Sequence, residues 1–331
     1  MRSRTILALL FLLCSGFFAR SSFGLDKLRV GLSSVSALHG ALWVAEEKGL
    51  FKKHGIDAEV IVIGAGTQGI SALIAGDVQF VSGAGDAAIN ANLRGADVII
   101  AASVLNRGVQ RVMARPDIKG PKDLKGKRVG VTRYGAASHL VLQLMMRRWG
   151  MSPGDVSVMQ IGSSPSMLAS LDKGGIDAAV LTIPSVFIAD ERGFRVLADL
   201  ADMDIYYLHT MMDTSRSFLR SNRDQALRFI KGFVEGIAFF KKNKRESIEV
   251  LKKKLRTDAK GEKYLEKSYD LLAGGYYESV PYSSMQGVET LLQFMEKENP
   301  KAKTADPKSF VDSSIVAELE ASGFIKALYE K

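Results

Sequence analysis

The stretch KLRVGLSS (residues 27–34) returns later in the chain as GKRVGVTR (residues 126–133). The segments after the two copies also match, because residues 64–101 align without a gap on residues 162–199. Among the identical pairs are the glycines Gly64/Gly162, Gly76/Gly174 and Gly95/Gly193. Each match is weak alone, but their common offset predicts one α/β unit folded twice. Two similar lobes leave a cleft between them, and we expect the functional site there.

Strands and helices alternate along both copies. Residues 28–32 are rich in branched apolar side chains, and residues 38–45 have apolar positions at helical spacing. Such alternation predicts an α/β fold in which each lobe is a mostly parallel sheet flanked by helices. We expect two crossovers, near residues 109–113 and 205–209, to form a hinge. Amphipathic helices follow residue 208, and we expect them to pack back on the first lobe.

The first 24 residues have the pattern of a secretory signal peptide. A basic start at Arg2 and Arg4 precedes an apolar run at residues 6–13, which is shorter than the roughly 20 residues that span a bilayer. Small residues predict cleavage after Gly24. The only cysteine, Cys14, follows a leucine, which argues against lipid attachment. We therefore expect a soluble periplasmic chain without disulfides, thiolate metal sites or cysteine nucleophiles.

Charge and length restrict the partners and the number of lobes. The formal net charge is +9 and becomes +6 once the three arginines of the signal segment are removed. The basic residues are not interleaved with aromatic ones, so we expect solvated helix faces and no nucleic acid. The size favours two lobes. We also expect a monomer. The predicted division is a signal peptide at 1–24, a first lobe at 25–111 and 212–331, and a second lobe at 112–211.

The loops at the predicted strand ends are built from glycines and small hydroxyl residues. There are six of them: Ser33-Ser34, residues 64–67, 82–86, 132–135, 162–166 and 181–185. Ligands of parallel sheets bind at these ends, where helix N-termini present free backbone N–H groups to an anionic or polar molecule. The alternative for each single loop is ordinary helix capping. Six such loops converging on one cleft favour a binding site.

The sequence GAGTQG (residues 64–69) matches the glycine pattern of dinucleotide sites, with Asp86 about 20 residues further on. The pattern normally follows the first strand of its unit, whereas here it follows the second. The equivalent loop at residues 162–167 keeps only the first of the three glycines. We therefore expect no dinucleotide cofactor, and we interpret the loop as a close backbone approach to another ligand.

Four further residues are candidates with two interpretations each. His39, beside the Ser33-Ser34 loop, is either a ligand donor or a helix-surface histidine. Asp86 is either a helix cap or an acceptor for a ligand amine or hydroxyl. Tyr134 suits stacking on a ring or lining the cleft. Arg133 suits pairing with a carboxylate or sulfonate, although an exposed arginine is commoner.

Other residue types argue against metal and catalytic sites. We expect His54 at the surface and His209 at the surface or the hinge, His139 on a helix surface, and Trp43 either in the core or at the cleft. No two histidines have metal-ligand spacing with an acid, so no metal is expected. No serine lies in a nucleophile pattern, so no catalytic residue is predicted.

Several stretches resemble a known family. HGALWVAEEKGLFKKHGID (residues 39–57), AGDVQF (75–80), DLKGKRVGV (123–131) and FVDSSIV (310–316) are similar to segments of the nitrate/sulfonate/taurine and thiamine-precursor solute-binding proteins of ABC transporters, the SsuA/THI5-like (NMT1) group. The resemblance implies a two-lobed, type II periplasmic-binding-protein-like fold, and capture of a small anionic or heteroaromatic molecule for an ABC permease and its ATPase.

The resemblance also implies which residues contact the ligand. They are Ser33, Ser34, Gly66, Thr67, Ser82, Asp86, Tyr134, Gly135, Ser138 and Thr182, to which the local argument adds His39. Two alternatives remain open. One is an enzyme on the same fold, of the lyase or pyrimidine-precursor synthase type, with His39 and Asp86 as its only proton-transfer pair. The other is a sensor that presents its bound ligand to a membrane receptor.

Overall fold

The computed structural model describes residues 24–203, 205–297 and 299–330. The predicted signal peptide, apart from Gly24, and the prediction for Cys14 lie outside these residues. The strands are β1 (Asp26–Leu32), β2 (Ile56–Val62), β3 (Phe80–Gly83), β4 (Val98–Arg107), β5 (Arg111–Ala114), β6 (Arg128–Val131), β7 (Ser157–Gln160), β8 (Ala178–Leu181), β9 (Arg195–Asp199) and β10 (Tyr206–Ser215). The helices are α1 (Gly40–Glu47), α2 (Leu50–Lys53), α3 (Gly66–Ala75), α4 (Gly85–Leu93), α5 (Ala137–Arg148), α6 (Ser164–Asp172), α7 (Ser185–Glu191), α8 (Arg216–Ser221), α9 (Arg223–Lys242), α10 (Lys244–Leu255), α11 (Glu262–Leu271), α12 (Met285–Met295), α13 (Ser314–Ala321) and α14 (Phe324–Tyr329).

The strands form two five-stranded sheets. The first has the order β2-β1-β3-β10-β4 and the second the order β7-β6-β8-β5-β9. Each sheet holds one antiparallel strand, β10 in the first and β5 in the second. The other strand pairs run parallel. The predicted α/β fold with two mostly parallel sheets is thus confirmed.

The two antiparallel strands come from the parts of the chain that change sheets. The chain passes from the first sheet to the second between β4 and β5, and it returns between β9 and β10. β10 hydrogen-bonds to β3 and β4 of the first sheet. The crossover regions are therefore also sheet strands. The lobe boundaries stay a prediction.

The glycines shared by the two copies have a backbone reason. Gly64 and Gly162 have φ of 97° and 101°, and Gly76 and Gly174 have φ of 83° and 70°. Residues with a Cβ are strained at such angles, so each copy needs glycine at the same turn. Gly76 ends α3 in the left-handed conformation and donates to two carbonyls of its last turn. The repeat in the sequence is therefore a repeat of turns.

The C-terminal helices pack on the first lobe, as the amphipathic pattern predicts. The long helix α9 contacts α1 and α2, and Gly236 allows its backbone to approach Ala41 closely. The Tyr277 hydroxyl donates to the Leu38 carbonyl at 2.8 Å. Trp43 is 3 % exposed and belongs to this core. The start of α1, with His39 directly before it, is thus anchored from behind.

No helix within the described residues has the length and apolar character needed to cross a membrane.

Candidate functional site

One cavity lies between the carboxyl ends of the strands of both sheets. Its volume is about 70 Å³. Its lining residues come from the loops after β1, β2, β3, β6, β7 and β8, from the first crossover and from β10: Ser33, Ser34, Val35, Leu38, His39, Ala65, Gly66, Ala84, Asp86, Gln110, Thr132, Ala136, Ala137, Ser138, Ser163, Ser164, Val180, Thr182, His209 and Thr210. The strand-end loops of both copies therefore do converge on a single space.

His39 is held in a fixed orientation on the first-lobe side. Its Nε2 lies 3.1 Å from the Ser34 hydroxyl and its Nδ1 lies 2.9 Å from the Ser82 hydroxyl. Burial lowers the pKa of His39 to about 4, so the ring is neutral near pH 7. A neutral imidazole donates from one nitrogen and accepts at the other, and the two serines serve both. His39 is therefore a positioned polar wall of the cavity, not a surface histidine.

Asp86 is the acidic group of the cavity. It lies in the first turn of α4 and is 2 % exposed. Burial raises the pKa of Asp86 to about 7, and the backbone amides of Asp86 and Ala87 and the hydroxyl of Tyr207 oppose this increase. Its Oδ2 atom and the Tyr207 oxygen are buried without a well-formed hydrogen bond. An unpartnered carboxylate oxygen in a cavity is a strong acceptor for a ligand donor.

β10 adds residues that the sequence analysis missed. His209 is 5 % exposed and lines the cavity, so it is not a surface residue. It lies in the strand that follows the second crossover, where the hinge is expected. Burial, and secondarily the nearby His39, lowers the pKa of His209 to about 3. Its neighbour Thr210 also lines the cavity, because the pairing of β10 with β4 is irregular there and successive side chains do not alternate cleanly.

Behind the cavity, β10 also buries a second carboxyl group. Asp213 is fully buried, and neither of its carboxylate oxygens has a hydrogen-bond partner. Burial, and then the charge of Asp86, raises the pKa of Asp213 well above its usual value. Both effects favour the uncharged form of Asp213. The signal for β10 was present in its sequence, YYLHTMMDTS, which places polar residues among apolar ones.

The second lobe and the crossover contribute hydroxyl and amide groups. The Ser138 hydroxyl accepts from the Thr132 backbone N–H at 2.8 Å. The Thr182 hydroxyl and the side-chain amide oxygen of Gln110 are buried without partners, and both residues line the cavity. One hydrogen bond joins the lobes at the cavity edge, from the Ser36 hydroxyl to the Ile183 carbonyl at 2.7 Å.

The structure brings most of the predicted site residues together. Seven line the cavity: Ser33, Ser34, His39, Gly66, Asp86, Ser138 and Thr182. Ser82 lies directly behind His39, and Thr67 approaches Gly135 from the opposite lobe. Tyr134 is 53 % exposed and its hydroxyl donates to the Val158 carbonyl, so its side chain does not line the cavity. The ligand-binding role of the whole set stays a prediction.

A second, smaller group of residues surrounds a neighbouring cavity of about 80 Å³. Asp86 is common to both cavities, and Gly135, His139 and the exposed Arg94 line only the second. His139 accepts from the Gly135 backbone N–H at 3.1 Å. The predicted cation Arg133 is exposed and lines neither space. Among the described residues, none of the His, Asp and Glu side chains form a group of three or more that could hold a metal ion.

Two sheets of this topology with one cavity between their strand ends define the periplasmic-binding-protein fold. The crystal structure of the alkanesulfonate-binding protein SsuA from Xanthomonas axonopodis superposes with a TM-score of 0.70 at 16 % identity, over 86 % of this chain and 96 % of SsuA. The chain belongs to the NMT1/THI5-like family, whose family model matches residues 36–247.

Relatives by sequence carry binding-protein names. A binding protein of Brucella abortus is 29 % identical over 218 residues, which are 65 % of this chain and 67 % of the relative. The taurine-binding periplasmic protein of Escherichia coli is 29 % identical over 150 residues, 45 % of this chain and 46 % of the relative. Family, fold and relatives together support a binding function.

Proposed function

We propose that this chain is a periplasmic solute-binding protein that captures a small organic molecule between its lobes and delivers it to an ABC importer. The observation that carries the proposal is the cavity itself, because residues of both sheets surround it and most of them follow a strand end. Buried polar groups without partners, Asp86, Gln110 and Thr182, supply binding capacity that the protein leaves unused.

Capture is a consequence of the position of the cavity. A ligand that contacts both lobes binds the closed arrangement better than an open one, and that difference in affinity shifts the population towards closure. The hydrogen bond from Ser36 to Ile183 spans the same gap. The closed form then presents a joint surface of both lobes to the permease. The proposed lobes comprise residues 25–111 with 212–331, and residues 112–211.

Thermal-shift screening combined with X-ray scattering tests the binding function. We expect at least one small molecule to raise the melting temperature and to lower the radius of gyration, with one ligand per monomer by calorimetry. If a broad metabolite screen gives neither a thermal shift nor a change in scattering, the chain is not a solute receptor.

Transport and location need their own tests. The periplasmic name of the Escherichia coli relative supports export. We expect the mature protein in the periplasmic fraction, with an N-terminus close to Leu25, and a permease and an ATPase encoded beside its gene. A neighbouring receptor gene without a permease favours the sensor alternative.

The enzyme alternative requires turnover. Here His39 is hydrogen-bonded to two serines, and its lowered pKa makes it a weak base. We propose binding without catalysis, so a bound ligand should be recovered unchanged by mass spectrometry after prolonged incubation. A new product that disappears in His39→Ala would establish an enzyme.

A further inference from the structure

Within the described residues, the lining of the main cavity includes an acidic side chain but no cationic one. Among the described residues that line it, none is a lysine or an arginine. Its histidines, His39 and His209, are buried and uncharged at neutral pH. The groups that act on Asp86 are backbone amides and the Tyr207 hydroxyl, with no basic side chain among them. An anion bound here would meet a carboxyl group and no cationic side chain.

Two buried lining atoms are acceptors that the protein leaves incompletely satisfied. Asp86 is 2 % exposed and Gln110 is 6 % exposed. The Oε1 atom of Gln110 has no partner, and the Oδ2 atom of Asp86 has no well-formed hydrogen bond, although the Tyr207 hydroxyl acts on this carboxyl group. Leaving such an acceptor without a donor is unfavourable, and more so when the acceptor is charged. A ligand that brings N–H or O–H groups to these oxygens satisfies both. A ligand that offers only oxygen acceptors leaves them unsatisfied.

Two helix N-termini at the cavity present free donors and therefore need an acceptor from the ligand. The N-termini of α3 and α5 carry no side-chain cap, at Ala65 and Ala136, and both residues line the cavity. Their free N–H groups suit an acceptor atom of the ligand. By contrast, the first-turn amides of α4 act on the Asp86 carboxyl group. The cavity therefore presents a donor side at α3 and α5 and an acceptor side at Asp86 and Gln110.

Building on the proposed binding function, we propose that the ligand is a compact, neutral or singly cationic molecule with an N–H or O–H donor edge. That edge docks on Asp86 and Gln110, and an acceptor atom elsewhere in the molecule faces α3 and α5. Amidines, amides and amino-substituted heterocycles have this chemistry. Nitrate and simple sulfonates lack the donor edge, so the cavity discriminates against them.

Size restricts the ligand further. A cavity of about 70 Å³ holds roughly five to seven waters, at 10–15 Å³ each. This space suits a molecule with about one ring and excludes a long chain. Asp86 then selects the ligand by its donors, while the walls of both lobes select it by its length.

Matched pairs of probes test the inference. Guanidinium and nitrate share a planar trigonal shape, and acetamidine with acetate and benzamidine with benzoate share their carbon skeletons, so the members of each pair differ mainly in donor capacity and charge. Thermal shift and calorimetry would be measured for each probe, alongside a general metabolite screen. We expect the donor members of the pairs, and neutral or cationic donor compounds from the screen, to bind.

The variant Asp86→Asn separates the acceptor from the fold. It keeps the shape of the side chain and removes its charge, so we expect the affinity for an amidine to fall roughly 10- to 100-fold. Asp117→Asn is the matched control, because Asp117 is exposed and pairs with Arg115 at the surface. It should leave the affinity unchanged. Circular dichroism would establish that both variants are folded.

Three outcomes are distinguishable. Donor probes that bind and depend on Asp86 support the inference. Nitrate, acetate or benzoate binding as tightly as its donor partner, and equally well to Asp86→Asn, overturns it while the binding function stands. No binding by any probe or metabolite contradicts the proposed binding function itself, and this inference falls with it.

Discussion

The ligand-free protein should become more stable when Asp86 is replaced by asparagine, and the gain should depend on pH. Burial raises the pKa of Asp86 from 3.8 to about 7. Between these two values the native chain holds a proton that the unfolded chain has released, so the free energy of unfolding falls as the pH rises. Above pH 7 both states are ionised and this contribution is constant. The direction is opposite to that of a salt-bridged aspartate.

The magnitude depends on the size of the shift. About three pKa units at 1.36 kcal/mol each give an upper limit of roughly 4 kcal/mol over the whole range, and roughly 3 kcal/mol between pH 5 and 7. Tyr207 stays protonated in this range because its pKa is raised, and His39 and His209 stay neutral in the native state because theirs are lowered to about 4 and about 3. In the unfolded state these histidines titrate in wild type and variant alike, so their contribution cancels in the difference between the two proteins.

Urea unfolding at pH 5 to 8.5 would measure this difference for wild type and Asp86→Asn. The asparagine amide adds a buried donor whose effect does not vary with pH, so the informative quantity is the change in the difference. We expect the variant to gain on wild type up to pH 7 and then to level off. Asp117→Asn is the control and should show no such gain. A difference that stays constant within about 0.5 kcal/mol across the range would refute the account of Asp86.

Three other substitutions probe the lobe contact, the turns and the buried histidine. Ser36→Ala removes the hydroxyl that donates to the Ile183 carbonyl across the lobes. The free energy of unfolding should therefore fall by about 1 kcal/mol, and the ligand-free radius of gyration should rise. Unchanged scattering would show that this bond does not hold the lobes together. Gly162→Ala forces a Cβ onto a backbone at φ 101° and should destabilise the protein by roughly 1–2 kcal/mol in urea unfolding. Gly154→Ala is the control and should be neutral, because Gly154 has open space around it and no positive φ. Equal effects of the two substitutions would argue against turn strain. Between pH 6.5 and 4, the free energy of unfolding of wild type should fall by about 3 kcal/mol relative to that of His39→Gln. The reason is that the unfolded state takes up a proton at His39 that the native state excludes. Parallel pH profiles of the two proteins would contradict the burial of a neutral ring.

The sequence predicted the parts of the fold that depend on local pattern. Repeated glycines marked turns with positive φ, and hydroxyl-rich loops marked strand ends, because both effects act over a few residues. Convergence of those loops could be expected from topology alone, since parallel strands of two similar sheets place their carboxyl ends together.

Other parts of the site depend on tertiary contacts that the sequence does not display. The place of His209 in the cavity wall was not predicted, because it depends on the pairing of β10 with the distant strands β3 and β4. Tyr134 sits at a strand end, yet its side chain turns away to the Val158 carbonyl. Arg133 suggested that the ligand is an anion. The lining of the cavity does not include Arg133, however, and it does include Asp86. The charge of the site therefore had to be established from the structure.

A crystal structure of the protein with its bound ligand tests the central claim most directly. The account predicts one molecule in the cavity between the two sheets, in contact with residues of both lobes and with a donor group hydrogen-bonded to Asp86 Oδ2. A ligand bound elsewhere on the protein would contradict the binding mechanism. A ligand in this cavity that turns an anionic group towards Asp86 would contradict the assignment of its chemistry.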